Sequence, residues 1–170
     1  MGRVSAGKRF DILLYVSKNG GIAVISDQKS VKYMEILLVE DNPGDVALTK
    51  RALKSGKVPY NLHVANDGAD ALAFLRKEGE YEQAPRPDLI LLDLNMPRVS
   101  GQEVLEKVKS NEKLASIPVV VLTTSKDEED IEETYKLHAN SFITKPVDWQ
   151  EFMNMARLVE EYWFSVVKLP

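Results

Sequence analysis

The chain has 170 residues and no cysteine, with only two histidines and two tryptophans. Without cysteine there are no disulfides and no thiolate chemistry, and a reducing compartment is allowed. His63 and His138 stand too far apart for the close pair that a zinc site draws from one motif. No apolar run approaches the roughly 18 residues of a membrane span. The N-terminus also lacks the apolar core and small-residue cleavage site of a signal peptide. The expectation is a soluble, cytoplasmic protein without a membrane partner, one ordinary domain with a little to spare. What the chain does have is acid, unevenly spread. Residues 1–33 hold six Lys/Arg against two Asp/Glu, net +4, and residues 34–170 hold 16 against 24, net −8. A domain so acidic repels a phosphate backbone, which argues against nucleic acid and leaves proteins or metal ions as partners.

From Glu35 onward short apolar runs alternate with segments of helical period. The runs are 36–39, 62–65, 89–92, 118–122 and 141–144, each near strand length and mostly rich in Val, Ile or Leu. Helical candidates fill the intervals: 43–55, 68–77, 101–110, 127–138 and 148–166, the last with an amphipathic stripe through Phe152, Met155, Val159, Tyr162 or Trp163, and Val166. Strict alternation with near-continuous apolar strands implies an α/β fold, a doubly wound parallel sheet of five strands covered by helices on both faces. Pro43 fits the first turn of a helix started at Asn42. Ser125 with Glu128 fits a capping box, and 79–87 reads as a polar loop ended by proline.

Residues 1–33 stand outside this pattern, and two domains are expected: 1–33 as an N-terminal extension and 34–170 as the main domain. The simplest reading of 1–33 is a translated leader, with Met34 the natural start. The alternative is an ordered accessory hairpin, with "FDILLYV" and "GIAVI" paired around Asn19-Gly20-Gly21.

"PDLILLDLNMPRVSG", Pro87 to Gly101, ends its apolar run on a carboxylate, Asp93. In a parallel sheet the strand C-termini gather at one edge, where ligands bind. Glu40 and Asp41 end the first strand, so if strands one and three are neighbours three carboxylates share one pocket. Two such charges 4 Å apart repel by about 4 kcal/mol at an effective dielectric of 20, and the cluster calls for a cation. Oxygen-only donors suit Mg²⁺. Thr123 ends the fourth strand with a hydroxyl, and Lys145 ends the fifth with an ammonium. Acid, hydroxyl and ammonium at one edge are what phosphoryl transfer to a carboxylate needs. Taken singly each residue has a duller role, as turn former, cap, strand end or solvated charge. Their arrival together at the strand ends is the signal.

These motifs resemble the receiver domain of two-component response regulators over 34–170. "ILLVEDNP" carries the acidic pair, "LILLDLNMPRVSG" the acceptor strand end, "VVVLTTS" the hydroxyl and "SFITKP" the lysine. The style of "EDNPGDVALTKRAL", "VVVLTTSKDEEDI" and the ending "YWFSVVKLP" is similar to that of the small single-domain regulators paired with bacterial and cyanobacterial phytochrome histidine kinases. The resemblance implies a flavodoxin-like fold with strand order 2-1-3-4-5. It implies Asp93 as phosphoryl acceptor, with Mg²⁺ held by Glu40, Asp41, Asp93 and the backbone carbonyl of Asn95. Thr123 would bond a phosphoryl oxygen and Lys145 would pair with it. Lys145-Pro146 would be a cis bond, and Phe142 matches the aromatic that turns inward on activation, though without the hydroxyl of the common tyrosine. His138 stands where many receivers have glycine and is read as the end of a helix.

On this reading the protein takes a phosphoryl group from a histidine kinase, loses it by its own hydrolysis and is otherwise no enzyme. With no residues after the last helix to form an output module, its output is expected to be a protein contact. A homodimer through helix four, strand five and helix five is implied, with Tyr162, Trp163 and Phe164 in support. Asn95 and Ser125 flank the expected water path. Two alternatives stay open. One is a Mg²⁺-dependent phosphohydrolase, which usually has an acid where Asn95 stands; the other is an adaptor that keeps the fold and ignores phosphorylation.

Overall fold

The computed structural model describes residues 13–16, 22–25, 33–54 and 59–167, the first two stretches and 164–166 as backbone only. The chain divides into two units, Met1–Lys32 and Tyr33–Pro170. In the first, β1 (Leu13–Val16) pairs antiparallel with β2 (Ile22–Ile25), Leu13 opposite Ile25 and Val16 opposite Ile22. The turn expected between them at Asn19-Gly20-Gly21 lies outside the described residues.

The second unit alternates strand and helix throughout. Its strands are β3 (Met34–Val39), β4 (Tyr60–Ala65), β5 (Leu89–Leu92), β6 (Val119–Thr123) and β7 (Ser141–Thr144). Its helices are α1 (Pro43–Leu53), α2 (Gly68–Arg76), α3 (Gly101–Lys109), α4 (Glu128–Lys136) and α5 (Trp149–Glu160). The chain runs on from α5 as a π-helical segment, Glu161–Val166. All five strands are parallel, in the order β4-β3-β5-β6-β7. Counted from Met34 this is 2-1-3-4-5, the flavodoxin-like order.

Strand side chains alternate between the two faces, and the core splits accordingly. Leu37, Val39, Ile90, Leu92, Val119 and Val121 face Leu72, Phe74 and Leu75 of α2 and Val104, Leu105 and Val108 of α3. Ile36, Leu38, Leu89, Leu91, Val120 and Leu122 face Leu53 of α1 and Val159 and Trp163 at the far end of the chain. Burying each such Val, Leu or Ile contributes about 1.5–3 kcal/mol. Trp163 is therefore a core residue, 8% exposed, rather than part of an aromatic surface. Of its neighbours Tyr162 is exposed, and the Phe164 side chain lies outside the described residues.

Helix ends follow local chemistry. Asn42 caps α1 by accepting the amides of Gly44 and Asp45, with Pro43 in the first turn as expected. The Ser125 capping box is not formed. Helix α4 begins two residues later, because the Ser125 amide is drawn to Thr123 Oγ1 and its hydroxyl to Asp130. The capping box of this fold is Ser100 with Glu103, at the start of α3. At the end of α4, His138 has φ of 64°, its amide reaching the Tyr135 carbonyl and that of Ala139 the Thr134 carbonyl, a Schellman motif. His138 thus holds the left-handed position in which glycine costs least. Lys145-Pro146 is trans, against the expectation. An X–Pro bond favours trans by about 0.5–1 kcal/mol, so the dipeptide itself does not demand cis.

Candidate functional site

Strand order sets the site. Val39 of β3 is the partner of Leu92 of β5 in the register, so the next residues, Glu40 and Asp93, leave the sheet side by side. Their amides close the edge, Glu40 N–H donating to Ala65 O and Asp93 N–H to Val39 O, both at 3.0 Å. At β6 and β7 the Lys145 amide donates to Thr123 O at 2.7 Å, which brings the fifth strand's lysine to the same edge.

Lys145 is the hub. Its Nζ donates to Glu40 Oε2 at 2.5 Å, Asp93 Oδ2 at 2.7 Å and Asp45 Oδ2 at 2.9 Å. Lys145, Glu40 and Asp93 are buried, and Asp45 is half-buried. Three carboxylates share one ammonium, which leaves two formal negative charges in excess. Burial pulls the Lys145 ammonium's pKa down, but the hydrogen bonds it donates to Asp93, Glu40 and Asp45 outweigh this and hold the group above the ordinary lysine range. Burial pushes the Glu40 carboxyl up, and its bond to Lys145 only partly offsets this.

Carboxylate oxygens of Glu40, Asp45 and Asp93 lie within 4.8 Å of one another. Oxygen-only donors, close together and short of positive charge, fit a hard divalent cation. Asp41, expected in this set, is exposed, while Asp45 stands in it. Sequence reasoning missed Asp45. Its signal was the turn "DNPGD": a helix capped at Asn42 directly after the strand turns its first-turn acid back over the sheet edge.

The remaining expected residues are placed as follows. Thr123 is fully buried and its Oγ1 accepts from Asn95 Nδ2 at 3.0 Å and from the Ser125 amide at 3.2 Å. The Asn95 amide donates to Asp93 Oδ1 at 3.1 Å, so Asn95 touches both the acid and the hydroxyl. Phe142 is half-buried against the core on the α2–α3 face. Behind the acid, Gly101 N–H donates to Leu94 O at 3.0 Å. A Cβ at Gly101 would lie 2.1 Å from the Asp93 carbonyl oxygen, so only glycine lets α3 start this close to the loop.

A family model described as the response regulator receiver domain matches residues 36–157. The chain belongs to the response regulator receiver domain family. Response regulator Rcp1 of a Synechocystis species is 46% identical over 135 residues, 79% of this chain and 92% of that one. Among solved structures, the phosphorylated cyanobacterial phytochrome response regulator RcpA is similar with a TM-score of 0.80 and 47% identity, covering 82% of this chain and 99% of that one. The Mn²⁺-bound form of Rcp1 gives 0.78 and 45%, covering 81% and 99%. This receiver domain is thus a signalling protein most similar, among these, to phytochrome regulators. Among its described residues no helix is long and apolar enough to cross a membrane.

Proposed function

We propose that this protein is a single-domain regulator of a phytochrome-type two-component system that accepts a phosphoryl group on Asp93. The observation that carries the reading is Asp93 itself: a buried carboxylate at a strand end, held by Lys145 and the Asn95 amide among other acids. The similarity to RcpA and Rcp1 supports the same conclusion and supports a histidine kinase as donor.

In the proposed reaction the P–N bond of a kinase phosphohistidine breaks, and an Asp93 carboxylate oxygen forms the new O–P bond. The imidazole leaves with the electron pair. Glu40 and Asp93 of the cluster would hold Mg²⁺ together with the exposed Asp41 beside them and the Asn95 carbonyl, while Asp45 stays on Lys145; the ion would supply charge neutralisation at the transferring group. Lys145 offers a charge-assisted contact to a phosphoryl oxygen, and Thr123 offers its hydroxyl proton. Water then releases the group, resetting the domain, with Asn95 and Ser125 beside the acid.

The modification adds about 1.5 to 2 negative charges next to Thr123 and Lys145. Movement of those two residues toward it draws on β7 and α4, and Phe142 is the side chain on β7 placed to respond. The output is a changed protein-binding face, which we assign to a homodimer through α4, β7 and α5. In support, Leu158 and Tyr162 are more than half exposed beside a groove of about 650 Å³ lined by Ile143, Met155 and Trp163.

Transfer from a phytochrome-type histidine kinase, loaded beforehand with labelled phosphate, tests this reading. Label should pass to the wild-type protein within minutes and not to Asp93→Asn. Label that stays on the kinase while the two proteins still bind would favour the adaptor.

A further inference from the structure

A chain of hydrogen bonds leaves the site along the β6–α4 loop and ends on α4. Thr123 Oγ1 accepts two bonds, from Asn95 Nδ2 and from the Ser125 amide. Two accepted bonds use both lone pairs of a hydroxyl, so what Thr123 has left to offer is its proton. Ser125 is fixed in turn. Its Oγ accepts the Asp127 amide at 3.2 Å and donates to Asp130 Oδ2 at 2.5 Å, the short length of a charge-assisted bond. The other Asp130 oxygen accepts from Gln102 Nε2 of α3 at 3.3 Å.

An acid in the first turn of a helix is ordinary, since it complements the macrodipole. Glu128 and Glu129 already meet that need from the same turn, and both are exposed. Asp130 differs in being half-buried with both oxygens engaged, one by the site's loop and one by α3. Asp127 makes no side-chain cap, and its amide goes to Ser125 instead. The start of α4 is tied to the loop through one serine, and that serine's proton is held by one carboxylate.

We propose that Asp130 is a positioning residue for phosphoryl acceptance: by holding Ser125 it fixes Thr123 with both lone pairs occupied and its proton free for a phosphoryl oxygen. The inference rests on Asp93 being the acceptor. It makes Asp130 and Ser125 act in series on Thr123.

The test follows loading of Asp93 by acetyl phosphate, with Mg²⁺ saturating, as intact mass against time over a range of acetyl phosphate concentrations. Asp130→Ala and Ser125→Ala should each lower the limiting rate about fivefold or more, with the half-saturating concentration within about twofold of wild type. Because the two act in series, the double variant should be no slower than the slower single, and Asp130→Ala should add nothing to Thr123→Ala. Glu129→Ala removes the same charge from the same turn and should keep the wild-type rate. An unchanged rate in Asp130→Ala, an equal loss in Glu129→Ala, or losses that multiply would each overturn the proposal. If Asp130→Ala does not fold, Ser125→Ala serves, since it breaks the same bond from the other end, and an undiminished rate there would again overturn the proposal. A wild-type protein that takes no phosphoryl group would instead remove the reading of Asp93 on which this rests.

Discussion

Lys145 neutralises part of a charge cluster that the fold itself creates, and this makes single substitutions at the strand edge informative. Removing one partner of a buried ion pair costs about 3–5 kcal/mol, because the other charges stay buried and unpaired. Lys145→Met should therefore destabilise the metal-free protein by that order in urea unfolding, with millimolar Mg²⁺ recovering part of the loss. The pH dependence has two signs to work out. Lys145 titrates above its unfolded value, so its contribution is fully present below about pH 10 and is lost as pH rises through the folded pKa. Glu40 is also raised, so it favours the fold below its unfolded pKa, and that advantage is lost as pH rises through the folded one. Glu40→Gln should flatten the acid-side change and shrink, without abolishing, the alkaline one, since Asp93 and Asp45 still hold the Lys145 ammonium. Metal affinity separates the two acids near Glu40. Asp41→Asn should weaken Mg²⁺ binding about tenfold and Asp45→Asn by no more than about threefold, since Asp45 chiefly serves Lys145. The reverse order, read by isothermal titration, would move the metal onto Asp45.

At the scale of elements, caps decide where helices begin and end, and the left-handed His138 after α4, like Lys77 after α2, is an exposed cost. His138→Gly should stabilise by about 1 kcal/mol in chemical unfolding, the steric relief exceeding the extra freedom of the unfolded chain. Ser100→Ala should cost about 1 kcal/mol by opening the capping box of α3. These two positions also mark what could be read beforehand. The five strands were legible because each is a short apolar run between helical segments, and Asp93, Thr123 and Lys145 were legible because each ends one. The Ser125 box was misread because "SKDE" and "SGQE" carry the same local signal, and only a tertiary partner, Thr123 Oγ1, takes the Ser125 amide away. Asp45 was missed because a first-turn acid looks like dipole compensation until the preceding strand end is known to face it. The stripe of the last helix left Tyr162 and Trp163 as alternatives for its inward position, and the structure puts Trp163 there, in the cluster with Ile36, Leu38 and Leu53.

For the whole molecule the central question is how a local charge at one edge becomes a signal at a face. A sheet whose two faces are both packed cannot bend to transmit it. The bonds that leave the site run instead through the loop from Thr123 to α4, by way of Ser125 and Asp130, and the exposed Leu158 of α5 stands apart from them. If α5 forms the dimer face, Leu158→Glu should shift sedimentation toward monomer at tens of micromolar while leaving phosphoryl loading intact, since Leu158 is 60% exposed and outside the site. A wild-type protein that stays monomeric in both states at that concentration would remove the dimer from the account and leave the acceptor chemistry standing. That chemistry is tested most directly by intact mass after incubation with acetyl phosphate and Mg²⁺, on wild type and Asp93→Asn. The account predicts one added phosphoryl group on wild type, absent from Asp93→Asn and lost when EDTA is present throughout. An adduct that persists in Asp93→Asn, or none on wild type, would contradict it.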